Sequence, residues 1–174
     1  MAALAIITAP DPRLKVKAKA VEKVDAAVRR LMDDMLETMY GSIGVGLAAP
    51  QVGVAQRIIV VDVAREGEKP KPMRIANPEI LWRSEEKIVA NEGCLSVPEH
   101  YADVSRAAEI RFRYLDEENE IREVEAKGLL ATCIQHEIDH LDGVLFVDHI
   151  SALKRGMILR KLQKAKRSRV LAPA

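Results

Sequence analysis

The chain has 174 residues, with 27 Lys or Arg against 26 Asp or Glu, 48% apolar residues and two cysteines. This length and composition predict a soluble globular protein with one core, and they exclude a disulfide framework. No apolar run is long enough to cross a membrane, so we expect no membrane partner. Since no linker or repeat divides residues 1–174, we interpret them as a single domain.

The first predicted element is an amphipathic helix, which follows a short apolar start without the basic leader of a signal peptide. Asp25 can cap this helix, and its apolar stripe runs to Met39 before Gly41. A β-branched run at residues 57–63 then predicts a buried strand. Four further strands are expected, the last two as a hairpin: 73–82, 86–91, 104–115 and 121–126.

Two helices are predicted in the last third of the chain. Gly128 begins the first, which continues through the good helix formers of residues 129–135. Ser151 can cap the second, which extends to about Lys166. This order of elements predicts an α+β fold, in which mixed or antiparallel sheets wrap around the central helix, with an N-terminal helix and a C-terminal basic helix beside them.

Residues 136–140 of the central helix read His-Glu-Ile-Asp-His. Because residues four apart lie on one face of a helix, His136 and His140 can direct two imidazoles at one metal ion. Glu137 lies beside them, where a general base would stand. The pattern predicts a metal site for hydrolysis, and the alternative is a solvated helix face with two incidental histidines.

A third ligand is needed, and Cys94 in the segment Glu92-Gly-Cys-Leu-Ser96 is the strongest candidate, since a thiolate suits a borderline-soft ion. Cys133 lies seven residues before His140, about 10 Å along the helix axis, and is expected to be a small buried residue near the site. Cys94, His136 and His140 would leave a fourth position for water. Weaker candidates lie downstream: Asp142, Asp148 and His149.

A segment rich in small residues, 44–51, reads Gly-Val-Gly-Leu-Ala-Ala-Pro-Gln. Such residues leave space and suit a loop that lines a narrow substrate cleft. Gln51 closes the segment, and its amide can donate a hydrogen bond to an oxyanion. Taken alone, the segment is also typical of an ordinary turn after a helix.

Together the segments 44–51, 92–96 and 136–140 resemble the three signature motifs of peptide deformylase in residues, order and spacing. The likeness extends to residues 10–14 and 77–78 and so covers nearly the whole chain. Tyr101 stands where bacterial members often have Arg, and Thr132 stands where a larger aliphatic residue is common. The resemblance implies a hydrolase that removes the formyl group from the N-terminal formyl-methionine of newly made polypeptides and releases formate.

The resemblance also implies the roles of the site residues. Glu137 would move the proton, and Gln51 with the backbone N–H of Leu95 would stabilise the oxyanion. The residues expected to contact substrate are Ile43, Gly44, Val45, Gly46, Leu129 and Cys133. Arg106 and Asp139 could pair behind the ligands, although a surface position for both is an equal alternative.

The expected cofactor is one metal ion per chain. A Cys-His-His set with water suits zinc by geometry, whereas the resemblance implies Fe²⁺, with Zn²⁺, Ni²⁺ or Co²⁺ as substitutes. Sequence alone does not choose among these ions.

The C-terminal segment 151–174 holds eight Lys or Arg and no acid, whereas the remainder holds nineteen basic and twenty-six acidic residues. A solvated helix is one interpretation, and an RNA-binding surface is the other. The resemblance favours docking on the ribosome. We expect the protein to be a monomer. We also expect it to be cytoplasmic, since its free thiols suit a reducing compartment.

Three other functions share part of the pattern. A metallopeptidase would need a further ligand after His140, and Phe146 stands where its third His would be. A structural zinc module would need a fourth protein ligand. A cysteine hydrolase built on Cys94 would leave Glu137 without a role.

Overall fold

The structure is a computed structural model that describes residues 2–171, with side chains to residue 168. The end of the predicted basic tail, from the side chain of Arg169 to Ala174, lies outside the described residues. The helices are α1 (Ala26–Gly41), α2 (Gly128–Leu141) and α3 (Ala152–Leu171). The strands are β1 (Gly46–Ala48), β2 (Ile58–Val61), β3 (Met73–Arg83), β4 (Lys87–Cys94), β5 (Val97–Ala107), β6 (Glu109–Leu115) and β7 (Ile121–Lys127). Three 3₁₀ helices cover Pro12–Lys15, Ala49–Val52 and Phe146–His149.

The strands form two antiparallel sheets. The larger has five strands in the order β1-β2-β3-β6-β7, and the smaller pairs β4 with β5. The predicted α+β fold with antiparallel sheets is therefore confirmed. Among the described residues, no helix is both long enough and apolar enough to cross a membrane.

Strand β2 explains how the larger sheet holds helices on both faces. Its side chains alternate, so that Ile59 and Val61 belong to the core around α2, whereas Ile58 and Val60 belong to the core around α1. All four residues are fully buried. The continuous β-branched run that predicted a buried strand reflects this two-sided packing.

Helix α1 begins where its capping signal predicted. The Asp25 carboxylate accepts a hydrogen bond of 2.9 Å from the backbone N–H of Val28. Met32, Met35 and Met39 lie on its inner stripe and are fully buried. The apolar stripe thus attaches α1 to one face of the larger sheet, and the helix ends immediately before the segment 44–51.

Helix α2 starts at Gly128, which adopts a φ of 62° that favours glycine. Its residues from Ala131 to Ile138 are all buried, including the polar ones. Ala131, Ile134 and Leu141 pack against the larger sheet. The buried polar side chains of α2 consequently face the smaller sheet and β1, where the candidate site lies.

One predicted strand is wrong in its extent. Residues 104–115 were expected to form a single strand, but β5 ends at Ala107 and β6 begins at Glu109. Ala107 pairs with Lys87 in the smaller sheet, whereas Glu109 pairs with Lys127 in the larger one. The apolar and polar alternation is broken at Ser105-Arg106 and Ala107-Ala108, next to this boundary, but such a break also occurs at a bulge within one strand and does not by itself mark a strand end. The hairpin of β6 and β7 is confirmed.

Helix α3 follows the predicted cap, since the backbone N–H of Lys154 donates to Oγ of Ser151 at 3.2 Å. It continues to Leu171, beyond the expected end near Lys166. Its buried Leu162 packs in a cluster with Phe146 and Val147. One face of α3 is thus attached to the 3₁₀ helix that follows α2.

Candidate metal centre and substrate cleft

Three side chains from two elements meet at the predicted metal position. Nε2 of His140 lies 3.2 Å from Nε2 of His136 and 3.3 Å from Sγ of Cys94. The three donor atoms all lie within 4.8 Å of one another. Tetrahedral ligands at the usual zinc distances are separated by roughly 3.3 to 3.8 Å, and the two shortest separations in this donor set are close to that range.

The downstream candidates do not join this cluster. Asp142 pairs with Arg57 at 3.0 Å. Asp148 accepts a hydrogen bond from the backbone N–H of Leu145 at 2.9 Å and pairs with Lys15. His149 contacts the carboxylate of Asp139 instead. The last position of β4 therefore supplies the third donor, Cys94.

His136 is oriented by a buried carboxylate. Its Nδ1 lies 2.9 Å from Oε1 of Glu92, so Nδ1 carries the proton and donates a hydrogen bond to that carboxylate. The unprotonated Nε2 then faces Cys94 and His140, with its lone pair available to a metal ion. Burial lowers the pKa of His136, but hydrogen bonds to Cys94 and Glu92 outweigh it and raise the pKa well above its ordinary value. Burial, and then the charge of His136, lower the pKa of His140.

Behind His136 lies an ion cluster that sequence reasoning reached only in part. Arg106 donates from Nε to Oε2 of Glu92 at 2.6 Å and from Nη2 to Oε1 of Glu92 at 2.9 Å. Its Nη1 donates to Oδ2 of Asp139 at 2.9 Å. The Arg106 side chain is only 5% exposed, which excludes the surface alternative for the Arg106–Asp139 pair. Glu92 was missed, and its place two residues before Cys94 was the available signal.

Burial raises the pKa of Glu92, yet the hydrogen bonds from His136 and Arg106 reverse the effect and lower it below the ordinary carboxyl value. Glu92 is therefore ionised, and its carboxylate holds the imidazole of His136 by accepting the hydrogen bond from Nδ1. A cluster of this kind fixes the ring before any ion binds, which is the usual function of partners behind metal ligands.

Glu137 lies beside the three ligands and is buried. Burial raises its pKa to about 7. Its Oε1 has no hydrogen-bond partner among the described residues. A buried carboxyl that titrates near neutral pH and has a free oxygen is suited to accept and return a proton.

The glycine-rich segment approaches α2 more closely than its composition predicted. A Cβ atom placed on Gly46 would lie 2.5 Å from Oε2 of Glu137 and 2.8 Å from Sγ of Cys133. The missing side chain at position 46 thus makes room for Glu137 and Cys133. At Gly44, a Cβ atom would lie 2.9 Å from Cδ1 of Leu95.

Gln51 is held in one orientation. Its Oε1 accepts from the backbone N–H of Ala48 at 2.9 Å, and its Nε2 donates to Oγ of Ser96 at 3.0 Å. The same Nε2 lies 3.5 Å from Sγ of Cys94. The amide is buried, and its N–H₂ group faces Ser96 and Cys94.

A cleft of about 710 Å³ opens over these groups. Its walls include every residue that the sequence assigned to substrate contact: Ile43, Gly44, Val45, Gly46, Leu129 and Cys133. Ile43, 95% exposed, and Leu129, 54% exposed, stand at its rim. Burial, and then the charge of Glu137, raise the pKa of Cys133 well above its ordinary value, so this thiol stays protonated.

The cleft also has walls that sequence reasoning did not assign, namely Ile88, His100, Tyr101 and Thr132. A Cβ atom on Gly93 would lie 2.5 Å from Cε1 of Tyr101, so the aromatic ring covers the backbone next to Cys94. Tyr101 and Thr132 are the two positions that depart from the usual pattern of the motifs, and both face the cleft.

Comparison with known proteins gives one consistent result. The sequence model of the family described as polypeptide deformylase matches residues 3–156. The peptide deformylase of Rhizobium meliloti is 54% identical over 164 residues, which cover 94% of each chain. That of Rhizorhabdus wittichii is 52% identical over 177 residues, covering 99% of this chain and all of the relative. A crystal structure of peptide deformylase from Ehrlichia chaffeensis aligns with a TM-score of 0.92 at 42% identity, over 98% of this chain and all of the other.

The chain belongs to the polypeptide deformylase family. It is an enzyme that removes the N-terminal formyl group from nascent polypeptides, as the resemblance of the three motifs predicted. The family uses a metal ion, and the Cys94, His136 and His140 cluster is consistent with that requirement.

Proposed function

We propose that Cys94, His136 and His140 hold one divalent ion and that the neighbouring residues carry out deformylation around it. The observation that carries this proposal is the mutual approach of the three donor atoms to within 4.8 Å in a buried site beside Glu137. A divalent ion bound there would supply Lewis acidity, which lowers the pKa of water and polarises a carbonyl group.

Glu137 is the proposed proton carrier. Its carboxylate takes a proton from the attacking water, whose oxygen forms a bond to the formyl carbon. The same carboxyl then gives the proton to the amine nitrogen as the C–N bond breaks, so that formate and a free amino terminus are released. A pKa raised to about 7 by burial allows both transfers near neutral pH.

Gln51 and the backbone N–H of Leu95 are the proposed donors to the oxygen of the formyl group as its charge increases. Gln51 supports this role because its acceptor atom is occupied by Ala48 and its donor faces Cys94. A preorganised donor costs no reorganisation during the reaction. Gly44 and Gly46 let Leu95 and Glu137 approach the segment 44–51, so that both residues lie in the wall of the cleft.

The methionine side chain is proposed to occupy the apolar end of the cleft. Ile43, Val45 and Leu129 are exposed at the rim, whereas Cys133 is buried. Sγ of Cys133 lies 3.7 Å from the carbonyl oxygen of Val45, so the two residues form one continuous wall. Exposed apolar side chains around a cleft indicate a binding surface.

Fe²⁺ is the proposed native ion, with Zn²⁺, Ni²⁺ or Co²⁺ as working substitutes. One thiolate and two imidazoles suit all these borderline ions, and the family resemblance favours iron. Because thiolates are readily oxidised, metal analysis on protein purified without oxygen tests the choice. Zinc as the dominant ion in such a preparation would overturn the proposal for iron.

We further propose that residues 1–174 form one catalytic domain that acts as a monomer in the cytoplasm and docks on the ribosome through α3. Five basic residues of α3 are exposed: Lys154, Arg160, Lys161, Lys164 and Arg167. No acid lies among the residues from 151 onward. A helix surface with only positive charges is suited to bind RNA phosphates. Docking on the ribosome would raise the local concentration of the substrate.

Formate release from three matched peptides tests the proposed reaction most simply. A formyl-Met peptide should be cleaved, whereas the acetyl-Met and unmodified peptides should not release product. Cleavage of an internal peptide bond would favour a metallopeptidase instead. Residual formate release after the bound metal is removed would favour a cysteine hydrolase built on Cys94.

A further inference from the structure

One carboxylate oxygen behind the metal centre is shared by two donors from different elements. Oδ2 of Asp139 accepts from Nη1 of Arg106 at 2.9 Å, and it lies 2.8 Å from Nε2 of His149. Arg106 belongs to β5, whereas His149 ends the 3₁₀ helix Phe146–His149. Asp139 therefore joins this short helix to the ion cluster around His136.

The contacts form an unbroken chain to a proposed ligand. From His149 it passes through Asp139 to Arg106, and from Arg106 by two hydrogen bonds of 2.6 and 2.9 Å to Glu92. Glu92 completes it with the 2.9 Å contact to Nδ1 of His136. Every separation in the chain lies within hydrogen-bond range, and Arg106 and Glu92 are buried.

We propose that His149 is a positioning residue for the metal ligand His136. This inference rests on the proposed ligation by Cys94, His136 and His140. The N–H of His149 holds the partly exposed carboxylate of Asp139 in place, and that carboxylate keeps Nη1 of Arg106 paired. With all its contacts made, Arg106 holds Glu92 in the orientation that receives Nδ1–H of His136.

The charges of the ion cluster explain why His149, at the solvent side of the cluster, affects the position of His136. Arg106 is buried between two carboxylates, and Asp139 is the one with access to solvent. If His149 is lost, Asp139 can turn toward water and leave Nη1 of the buried Arg106 without a partner. An unpaired buried donor is costly, so Arg106 would shift, and Glu92 would shift with it.

A second contact links the same short helix to the ligand directly. The ring of Phe146 stacks on the ring of His136, with centroids 6.3 Å apart and planes inclined by 24°. Phe146 is buried with Val147 and Leu162. The 3₁₀ helix thus contacts His136 by packing at its first residue and by the hydrogen-bond chain at its last.

The test is the rate at which Co²⁺ leaves the loaded protein for an excess of chelator. Direct partners of metal ligands change affinity by about 10- to 100-fold, and His149 acts three residues further out than the direct partner Glu92. We therefore expect His149→Ala to release Co²⁺ about three- to tenfold faster, with a lower kcat and an unchanged KM. His149→Gln keeps an N–H at a similar reach and should restore the release rate to within about twofold of the parent.

A matched control separates positioning from simple anchoring. Lys15 pairs with Asp148, the neighbour of His149 in the same 3₁₀ helix. Lys15 takes no part in the series of hydrogen bonds from His149 to His136. Lys15→Ala should leave Co²⁺ release unchanged. Equal acceleration in Lys15→Ala, or no acceleration in His149→Ala, would overturn the proposal. Should His149→Ala not fold, His149→Leu replaces it. A parent that fails to take up Co²⁺ would instead reject the proposed ligand set.

Discussion

Gly46 and Glu137 approach so closely that a single methyl group between them would overlap the carboxylate, with 2.5 Å from the added Cβ to Oε2. The two residues lie 91 positions apart in the sequence, on β1 and α2. Because β1 has no side chain here, the carboxyl of Glu137 stays buried and faces the ligands. The proposed proton carrier therefore depends on a glycine that makes no chemical contribution of its own.

Gly46→Ala is expected to displace Glu137 and to lower kcat at least about tenfold, with the metal retained, because the atoms nearest to the added Cβ belong to Glu137 and Cys133. Overpacking of this kind destabilises a protein by about 1–3 kcal/mol, so unfolding should be measured alongside activity. Gly41→Ala is the matched control, since a Cβ at position 41 meets no atom within 4 Å. Full activity in Gly46→Ala would show that the position of Glu137 is not critical.

Substitutions of the two cysteines should have different effects on metal binding. Cys94→Ala is expected to remove the thiolate-to-metal absorption band of the Co²⁺-substituted protein and to abolish metal-dependent activity. Cys133→Ala should keep the band, because burial holds its thiol in the protonated form. It should change only packing and substrate affinity. Loss of the band in Cys133→Ala with survival in Cys94→Ala would reverse the ligand assignment.

Metal affinity should fall as the pH falls. The pKa of His136 is raised well above its ordinary value, since its hydrogen bonds to Cys94 and Glu92 outweigh burial. Below that pKa both ring nitrogens carry protons, so an ion must displace a proton to bind. The pKa of His140 is lowered, chiefly by burial, so this ligand is already neutral and adds no such competition.

Calorimetric titration of Co²⁺ in buffers of different ionisation enthalpy measures the protons released. Affinity should weaken as the solution is taken from about pH 8 to about pH 6, in the direction in which His136 gains its proton. An affinity that is constant over this range, with no proton release, would mean that His136 does not bind the ion.

The sequence predicted the ligand set because helical spacing alone aligns His136 with His140 and because only one other cysteine competes with Cys94. It could not predict the close approach of Gly46 to Glu137, which depends on how β1 packs against α2. For a similar reason Glu92 was missed, and His149 was considered only as a weaker candidate metal ligand. Their contacts join β4, β5, α2 and a 3₁₀ helix, and no local spacing encodes such a chain.

The strand error has the same origin. In residues 104–115 the apolar and polar alternation breaks at Arg106 and Ala107, but such a break also occurs at a bulge within one strand. The passage between sheets takes place at Ala108, whose N–H donates to the carbonyl of Glu86 at 2.9 Å. Pairing partners decide where a strand ends, and partners are distant in sequence. The hairpin of β6 and β7 was predictable because its partners are adjacent.

Charge reversal on α3 tests the proposed docking. Lys161, Lys164 and Arg167 are exposed, so replacing all three with Glu should leave the fold and the cleavage of a short formyl-Met peptide unchanged. Binding to ribosomes at low salt should weaken by at least about tenfold, because phosphate contacts dominate such affinity. The measurement is co-sedimentation at several salt concentrations.

The control variant has the same change in net charge at a different surface of the protein. Arg65, Lys69 and Lys71 are exposed in the loop after β2, and their replacement with Glu should leave ribosome binding unchanged. If the α3 variant sediments as well as the parent, the helix is a solvated face. If both variants lose binding equally, net charge and not α3 is responsible.

Glu137 is proposed to carry the proton while Cys94, His136 and His140 bind the ion, and one pair of measurements on Glu137→Gln tests this division of roles. Gln keeps the size of the side chain but cannot accept a proton. We predict one metal ion per chain, as in the parent, with formate release reduced by at least about 100-fold. A Glu137→Gln protein that has lost its metal would make Glu137 a ligand, and one that keeps its metal and its activity would remove Glu137 from the reaction.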